Sequence, residues 1–499
     1  MTGAESVRLK TPRGRWIVAA TVLGSSLAML DATVVNVALP DIGRDLGSGV
    51  SGLQWTVSSY TLTLASFILL GGALGDRLGR RKVFVWGTVW FAVASVLCGL
   101  APNIEVLVAA RLLQGVGAAL LTPGSLALIS ASIHPDDRGA AIGLWSGLGG
   151  VASAVGPLLG GWLVDVAGWR SVFLLNIPLA VAVVLVAVKH VPESRDPHAE
   201  GTLDLPGAGV VALALGLLTY GFIDASWWVV AAGVLAVGAF VVVELRTSNP
   251  LVPPSLFASR VFLAANLVTF AVYAALGGVF FLLILQLQLA LDYSPIAAGV
   301  ATLPITALML VLSARAGRVA QRIGPRVPMT VGPLVAAAGL LLMLRISPDG
   351  AGVEPAGTTS WAGVEPVRTS RSTYLVDVLP AVVVFGLGLS ILVAPLTGAV
   401  LGAVSTDRAG IASGVNNAVA RTSQLLAVAA LPGLVGIAGA DYDRPQTFSD
   451  GFHTAMIVCA GLLVVGSLIA AVMVRGPSRK DPTYTCDPSS PALSPREQI

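Results

Sequence analysis

Charge is what this chain has least of. Only 11% of its 499 residues are Asp, Glu, Lys or Arg, whereas a soluble domain carries about 25%. With 55% of the residues apolar, one water-soluble core could not enclose that much hydrocarbon, so lipid is the expected solvent. Lysine is nearly absent, at Lys10, Lys82, Lys189 and Lys480 only. The remaining basic charge is arginine, scattered among connecting segments at a net charge of +3. Nucleic-acid binding is thereby excluded, since it needs basic residues crowded on one face. Cysteine is scarce too. Cys98 and Cys459 lie in apolar runs and Cys486 in a polar stretch, which makes no disulfide framework. The four histidines, His134, His190, His198 and His453, sit in or near connecting segments without metal-ligand spacing. No Gly-x-x-x-x-Gly-Lys-Ser/Thr sequence occurs, so ATP-driven chemistry drops out. Enzyme readings fail generally, because Asp31, Arg111 and Arg421 are the only obvious ionisable groups inside apolar runs. No cofactor or metal is expected.

What is present is a series of long apolar runs. A bilayer core takes roughly 20 apolar residues per helix, and fourteen such stretches occur. They run near 16–39, 52–74, 83–101, 105–131, 140–164, 172–189, 206–223, 226–244, 262–287, 296–314, 327–345, 375–404, 409–437 and 452–474. The first is read as a retained helix, since it is long enough to span and carries no obvious cleavage site. With the N-terminus inside, 22 Lys and Arg residues fall in cytoplasmic segments and six outside. A miscount of one helix would invert that alternation, so the charge bias supports both the number and the orientation. Abundant Ala, Gly, Val and Arg suggest a GC-rich bacterial genome. The expected address is a bacterial inner (plasma) membrane with both termini cytoplasmic. The 56 glycines lack a three-residue period and suit close helix packing in lipid.

Two loops repeat each other. Gly72-Ala-Leu-Gly-Asp76-Arg77-Leu-Gly79-Arg80-Arg81 matches Gly317-Arg-Val-Ala-Gln321-Arg322-Ile-Gly324-Pro325-Arg326. A weaker echo links Asp137-Arg138 to Asp407-Arg408. The echoes pair helices 1–6 with helices 9–14. The expected plan is a cytoplasmic N-terminus over 1–15, a six-helix bundle over 16–189 and two inserted helices over 206–244. A second six-helix bundle over 262–474 and a disordered cytoplasmic tail over 475–499 follow. Duplicated bundles mark secondary transporters, with the substrate path between them. Segment 347–374 repeats Ala-Gly-Val-Glu-Pro and reads as a flexible external loop, with ligand gating as the alternative.

At this point the motifs resemble the major facilitator superfamily, and within it the fourteen-helix drug:proton antiporter family. Gly72 to Arg81 looks like the signature loop. Leu30-Asp31-Ala-Thr-Val-Val-Asn36-Val-Ala-Leu-Pro40 is similar to the first-helix motif, and Arg111-Leu-Leu-Gln114-Gly115-Val-Gly117 to the fourth. Gly156-Pro157-Leu-Leu-Gly160-Gly161 resembles the helix-5 motif of antiporters. Trp169-Arg170 to Asn176-Ile-Pro178 and Tyr293-Ser-Pro295 to Ala298-Gly299 also look typical of the family. The resemblance covers nearly the whole chain, and only Gln321 departs from the signature pattern. It implies an all-α membrane fold of two six-helix bundles plus two inserted helices. It also implies proton-coupled export of amphipathic drugs, antibiotics or a natural product by alternating access. A major-facilitator importer or a lipid or metabolite exporter is the alternative. Expected partners are a small-molecule substrate, protons and the lipid bilayer, with the protein a monomer.

Depth arithmetic singles out Asp31. At about 1.5 Å per residue it lies ~22 Å from the inner edge, and Arg111, entering from the other side, reaches nearly the same depth. Two readings fit: a fixed ion pair locking helices 1 and 4, or a proton carrier tuned by Arg111. The resemblance implies the second. For Gly72, Asp76, Arg77, Gly79, Arg80, Arg81, Asp136 and Asp137 the choice is between a solvated turn and a conformational latch. In the latch, Asp76 faces a helix N-terminus and Arg80 pairs with Asp136 or Asp137. Gly156 and Pro157, with Gly160 and Gly161, are expected to kink helix 5 and let it pack tightly. Asn36, Gln114, Gln286, Asn417 and Arg421 are candidate cavity residues. Arg421 fits a structural hydrogen-bond hub as well as a substrate contact. Phe270, Tyr273 and Phe280 are better placed for packing or lipid.

Overall fold

A computed structural model of the chain describes residues 7–196, 203–347, 374–405, 408–437, 439 and 444–474. Fourteen helical segments of membrane length follow one another. They are α1 (Pro12–Leu46), α2 (Val50–Leu78), α3 (Arg80–Gly99), α4 (Ile104–Ser132), α5 (Pro135–Ala167), α6 (Arg170–His190) and α7 (Leu205–Ile223). The second half comprises α8 (Trp227–Arg246), α9 (Arg260–Ala290), α10 (Pro295–Ile323), α11 (Arg326–Arg345), α12 (Tyr374–Gly402), α13 (Ala409–Leu434) and α14 (Pro445–Met473). Thirteen of them are long and apolar enough to cross a membrane. The remaining one, α13, is long enough but carries Asn416, Asn417, Arg421 and Gln424. Among the described residues there is no strand, only an isolated bridge between Val7 and Ile133. The chain is a multi-pass membrane protein. The expected external loop and the tail fall largely outside the described residues, as does Asp407.

Helix starts are written locally. Thr11 Oγ1 accepts from Gly14 N–H at 3.1 Å with Pro12 in the first turn of α1, and Asn103 Oδ1 does the same for Val106 N–H at 2.9 Å in α4. Ser294 and Pro295 open α10 in the same way. Such caps satisfy backbone donors that the helix itself cannot. The caps also lengthen the helices beyond the apolar runs, so α1 begins inside the segment expected to precede it.

Helices α1–α6 pack on one another, as do α9–α14. The halves meet where α2 lies against α13 and α5 against α10, with α1 touching α9 and α10. The inserted pair α7–α8 leans on the α2–α13 seam through α7. One face of the assembly holds the N-terminus and the arginine-rich turns. At the opposite face four hydrogen bonds cross between the halves. Gln54 Nε2 donates to Val428 O and Ala429 O, each at 2.9 Å. Gln288 Nε2 donates to Val37 O at 3.0 Å, and Asp165 Oδ2 accepts from Ile296 N–H at 3.2 Å. Toward the arginine-rich face the seam loosens: a Cβ on Gly143 or Gly147 of α5 would meet nothing within 4 Å, and Leu310 and Val311 of α10 are about half exposed.

Candidate proton site and transport seam

Asp31 is 1% exposed and Arg111 is 1% exposed, so neither charge is solvated. They meet directly, Arg111 Nη1 lying 2.5 Å from Asp31 Oδ2. The other carboxylate oxygen, Oδ1, accepts from Gln114 Nε2 at 2.8 Å and from Asn176 Nδ2 at 2.9 Å. Gln114 and Asn176 also donate to Ser95 Oγ, which donates onward to Phe173 O. Arg111 spends Nε on Thr56 O at 3.1 Å and rests 4.2 Å from the centre of the Tyr60 ring. Five helices of one bundle thus close on a single carboxylate. Both oxygens of Asp31 have a donor, one on Oδ2 and two on Oδ1.

The sequence explains why these groups coincide. Arg111 and Gln114 are three apart on α4 and so share a face. Gly115, one residue on, faces α2, where a Cβ would overlap Tyr60 O. Asn176 heads the second part of α6, just after an interruption at Leu175 that turns its side chain inward. Asn176, Ser95 and Tyr60 were not singled out as site residues. They stand 145, 81 and 32 positions from their partners Asp31, Asn176 and Ala28; Asn176 falls in a segment typical of the family, and nothing local marks Ser95 or Tyr60. Gln114 belongs to this buried cluster rather than to an open cavity.

The helix-5 motif presents one face to α1 of its own bundle and another to the seam with α10. A Cβ on Gly156 would overlap Thr33 Oγ1, and one on Gly160 would crowd Val34 of α1. Gly161 faces the backbone of Pro295 and Ile296, and Gly299 faces Pro157 O in return. Only glycine permits backbones this close. Pro157 lies inside α5 without ending it.

The signature loop departs from expectation. Arg80 does not pair with Asp136 or Asp137; its Nε lies 2.8 Å from Asp76 Oδ1, one turn back. Gly79 adopts φ +118, and the segment after α6 folds over the turn. Arg80 N–H donates to Ser194 O, and Asp76 O accepts from Asp196 N–H. Arg81 N–H donates to Glu193 Oε1 at 3.1 Å, and Arg81 Nη1 to Val191 O. Asp136 and Asp137 instead hold the N-terminal segment, through Arg8 and through Leu9 N–H. Glu193 carries no mark in the sequence, because nothing there reports that residues 191–196 double back. Gly72 packs beside Pro123, and Arg77 is half-buried in the last turn of α2.

The proposed cavity residues separate. Gln286 is fully buried and donates to Ile346 O and Ser449 Oγ. It therefore ties α9 to α11 and α14 instead of lining an opening. Gln288, two residues later, makes the cross-bundle contact. Asn417 is exposed and donates to Ser413 O. Asn36 is half-buried, with Oδ1 lacking a partner. Arg421 is half-buried and donates to Gln424 Oε1 at 3.2 Å.

The family model described as Major Facilitator Superfamily matches residues 21–428. The puromycin resistance protein pur8 of Streptomyces alboniger is 34% identical over 93% of this chain and 92% of its own length. The drug efflux pump JefA of Mycobacterium tuberculosis is 36% identical over 88% of this chain and 84% of its own. A POT family transporter solved with 5-aminolevulinic acid superposes with a TM-score of 0.68 at 13% identity, covering 94% of this chain and 98% of that one, which speaks for the fold alone.

Proposed function

This chain belongs to the major facilitator superfamily, and we propose that it is a proton-coupled antiporter exporting amphipathic drugs, antibiotics or a natural product from the cytoplasm. The arginine-rich face is then cytoplasmic, in a bacterial plasma membrane, and the arrangement described above is the inward-facing one. Resistance and efflux proteins among its relatives support export. One observation carries the coupling: a carboxylate at membrane depth, sealed in one bundle and held by three donors. An ionisable group there is costly, about 2.5–3.5 kcal/mol on insertion scales, and marks function by default.

In the inward-facing state Asp31 is ionised and held by Arg111, Gln114 and Asn176. Substrate enters from the cytoplasm between the bundles. The outer seam of Gln54, Gln288, Asp165 and Gly161 then parts, and substrate leaves. A proton from outside neutralises Asp31, weakening its hold on Arg111, and the return swing delivers that proton inside. Signature-loop residues Asp76, Arg80 and Arg81, braced by Glu193, govern the rate of the swing and lie away from the substrate. The test is Asp31→Asn in proteoliposomes with an imposed pH gradient, read with anionic, neutral and cationic dyes. Loss of uphill transport with intact folding supports the proposal; unchanged uphill transport refutes it.

A further inference from the structure

Asp31, Arg111 and Arg421 lie within membrane-length helices, and the first two cancel. Asp31 and Arg111 neutralise each other at 2.5 Å. Arg421 does not share in that cancellation. It lies twelve residues from the start of α13, about 18 Å along the helix. Its hydrogen-bond partner is the neutral Gln424 Oε1, and among the described residues no carboxylate lies within 4.0 Å of its guanidinium. It is only half-buried, so the group is reachable. Its helix α13 packs against α2 of one bundle and α9 of the other, which sets it at the junction of the halves.

We infer that Arg421 is the counter-ion for an acidic group on the substrate, and that the transported class is an aromatic or apolar body bearing a carboxylate or an ionised phenol. This rests on the export reading above and names its substrate class. The guanidinium fork matches a carboxylate in two parallel hydrogen bonds. Tyr273, half-buried on the neighbouring α9, offers ring surface to the apolar body. With the acid of α1 already consumed by Arg111, a cationic drug finds no free carboxylate at this depth among the described residues, while an anion finds a free cation.

The inference is tested by binding, which needs no proton gradient and so stands or falls apart from proton coupling. The probes are 1-pyrenebutyrate and its neutral analogue 1-pyrenebutanol, bound to the full-length protein in nanodiscs. Tryptophan-to-pyrene energy transfer is the readout, with empty discs as baseline. The wild type is expected to bind the carboxylate at least tenfold more tightly than the alcohol. Arg421→Gln should weaken carboxylate binding by about tenfold to a hundredfold, the range for a lost charged hydrogen bond. Alcohol binding should stay within about twofold of wild type on the same grounds, and Arg421→Lys should retain part of the preference. Equal losses for both probes in Arg421→Gln, with a lowered melting temperature, would mean a structural hub and overturn the inference. So would a wild type that binds both probes equally or neither.

Discussion

Replacing Gln54 by Leu should open the outer seam. Gln54 is 4% exposed, and its amide reaches from α2 to two carbonyls of α13. One of them is special. Pro432 lies inside α13 and has no N–H to give Val428 O, its partner four residues back. Gln54 supplies the missing donor across the seam. Leucine of similar size would leave Val428 O buried without a partner, costing about 1–3 kcal/mol, and would forfeit about 1 kcal/mol at Ala429 O. In the open state water satisfies both carbonyls, so the loss falls on the closed state alone. At the lower bound of about 2 kcal/mol the open-to-closed ratio rises about thirtyfold. The assay is the spin-label distance between Ser51 and Leu434, both exposed at the outer ends of α2 and α13. Wild type should show mainly the short distance, and Gln54→Leu a dominant longer one. Pro432→Ala should shift the balance less, because Ala429 O keeps its bond to Gln54. An unchanged distance distribution in Gln54→Leu would refute the reasoning.

Two further outcomes follow from the packing. Gly161→Ala should push α5 off the Pro295–Ile296 backbone it touches, costing about 1–3 kcal/mol of closed state; the same label pair should lengthen and transport fall, whereas unchanged distances would deny the close approach a gating role. Asp76→Asn removes the charge from the Arg80 pair far from Asp31 and Arg421, so turnover should slow several-fold while pyrenebutyrate binding stays intact, and a lost isotherm in a folded protein would contradict this.

Much of this architecture is legible without coordinates, because lipid imposes its own arithmetic. The apolar runs must each be about one bilayer long, and the alternating arginines fix their parity. Counting residues inward from two membrane edges brings Asp31 and Arg111 to nearly one depth, and the structure joins them at 2.5 Å. Counting fails where identity depends on rotation or on a returning strand of chain. Gln286 and Gln288 differ by two residues on one helix, yet the first faces its own bundle and the second the other. The helix plan sets Arg80 beside Asp136 and Asp137, but residues 191–196 fold back and take the turn instead. The donors Asn176 and Ser95 are ordinary polar residues until tertiary packing brings them to one carboxylate. Likewise Gln54 gains its role only from a proline in another helix, 378 positions away.

Proton carriage by the buried Asp31 is tested most directly by removing its charge. Asp31→Asn preserves the shape and most hydrogen-bonding capacity of the site while removing its titratable group. Wild type and variant should be reconstituted at equal density, and dye movement followed under an imposed pH gradient and then with none. The account predicts that gradient-driven accumulation is abolished in the variant while exchange without a gradient persists, at a melting temperature within a few degrees of wild type. Gradient-driven accumulation at wild-type rates would remove Asp31 from the mechanism. A variant that fails to fold, and is rescued by also neutralising Arg111, would reduce the pair to a structural lock.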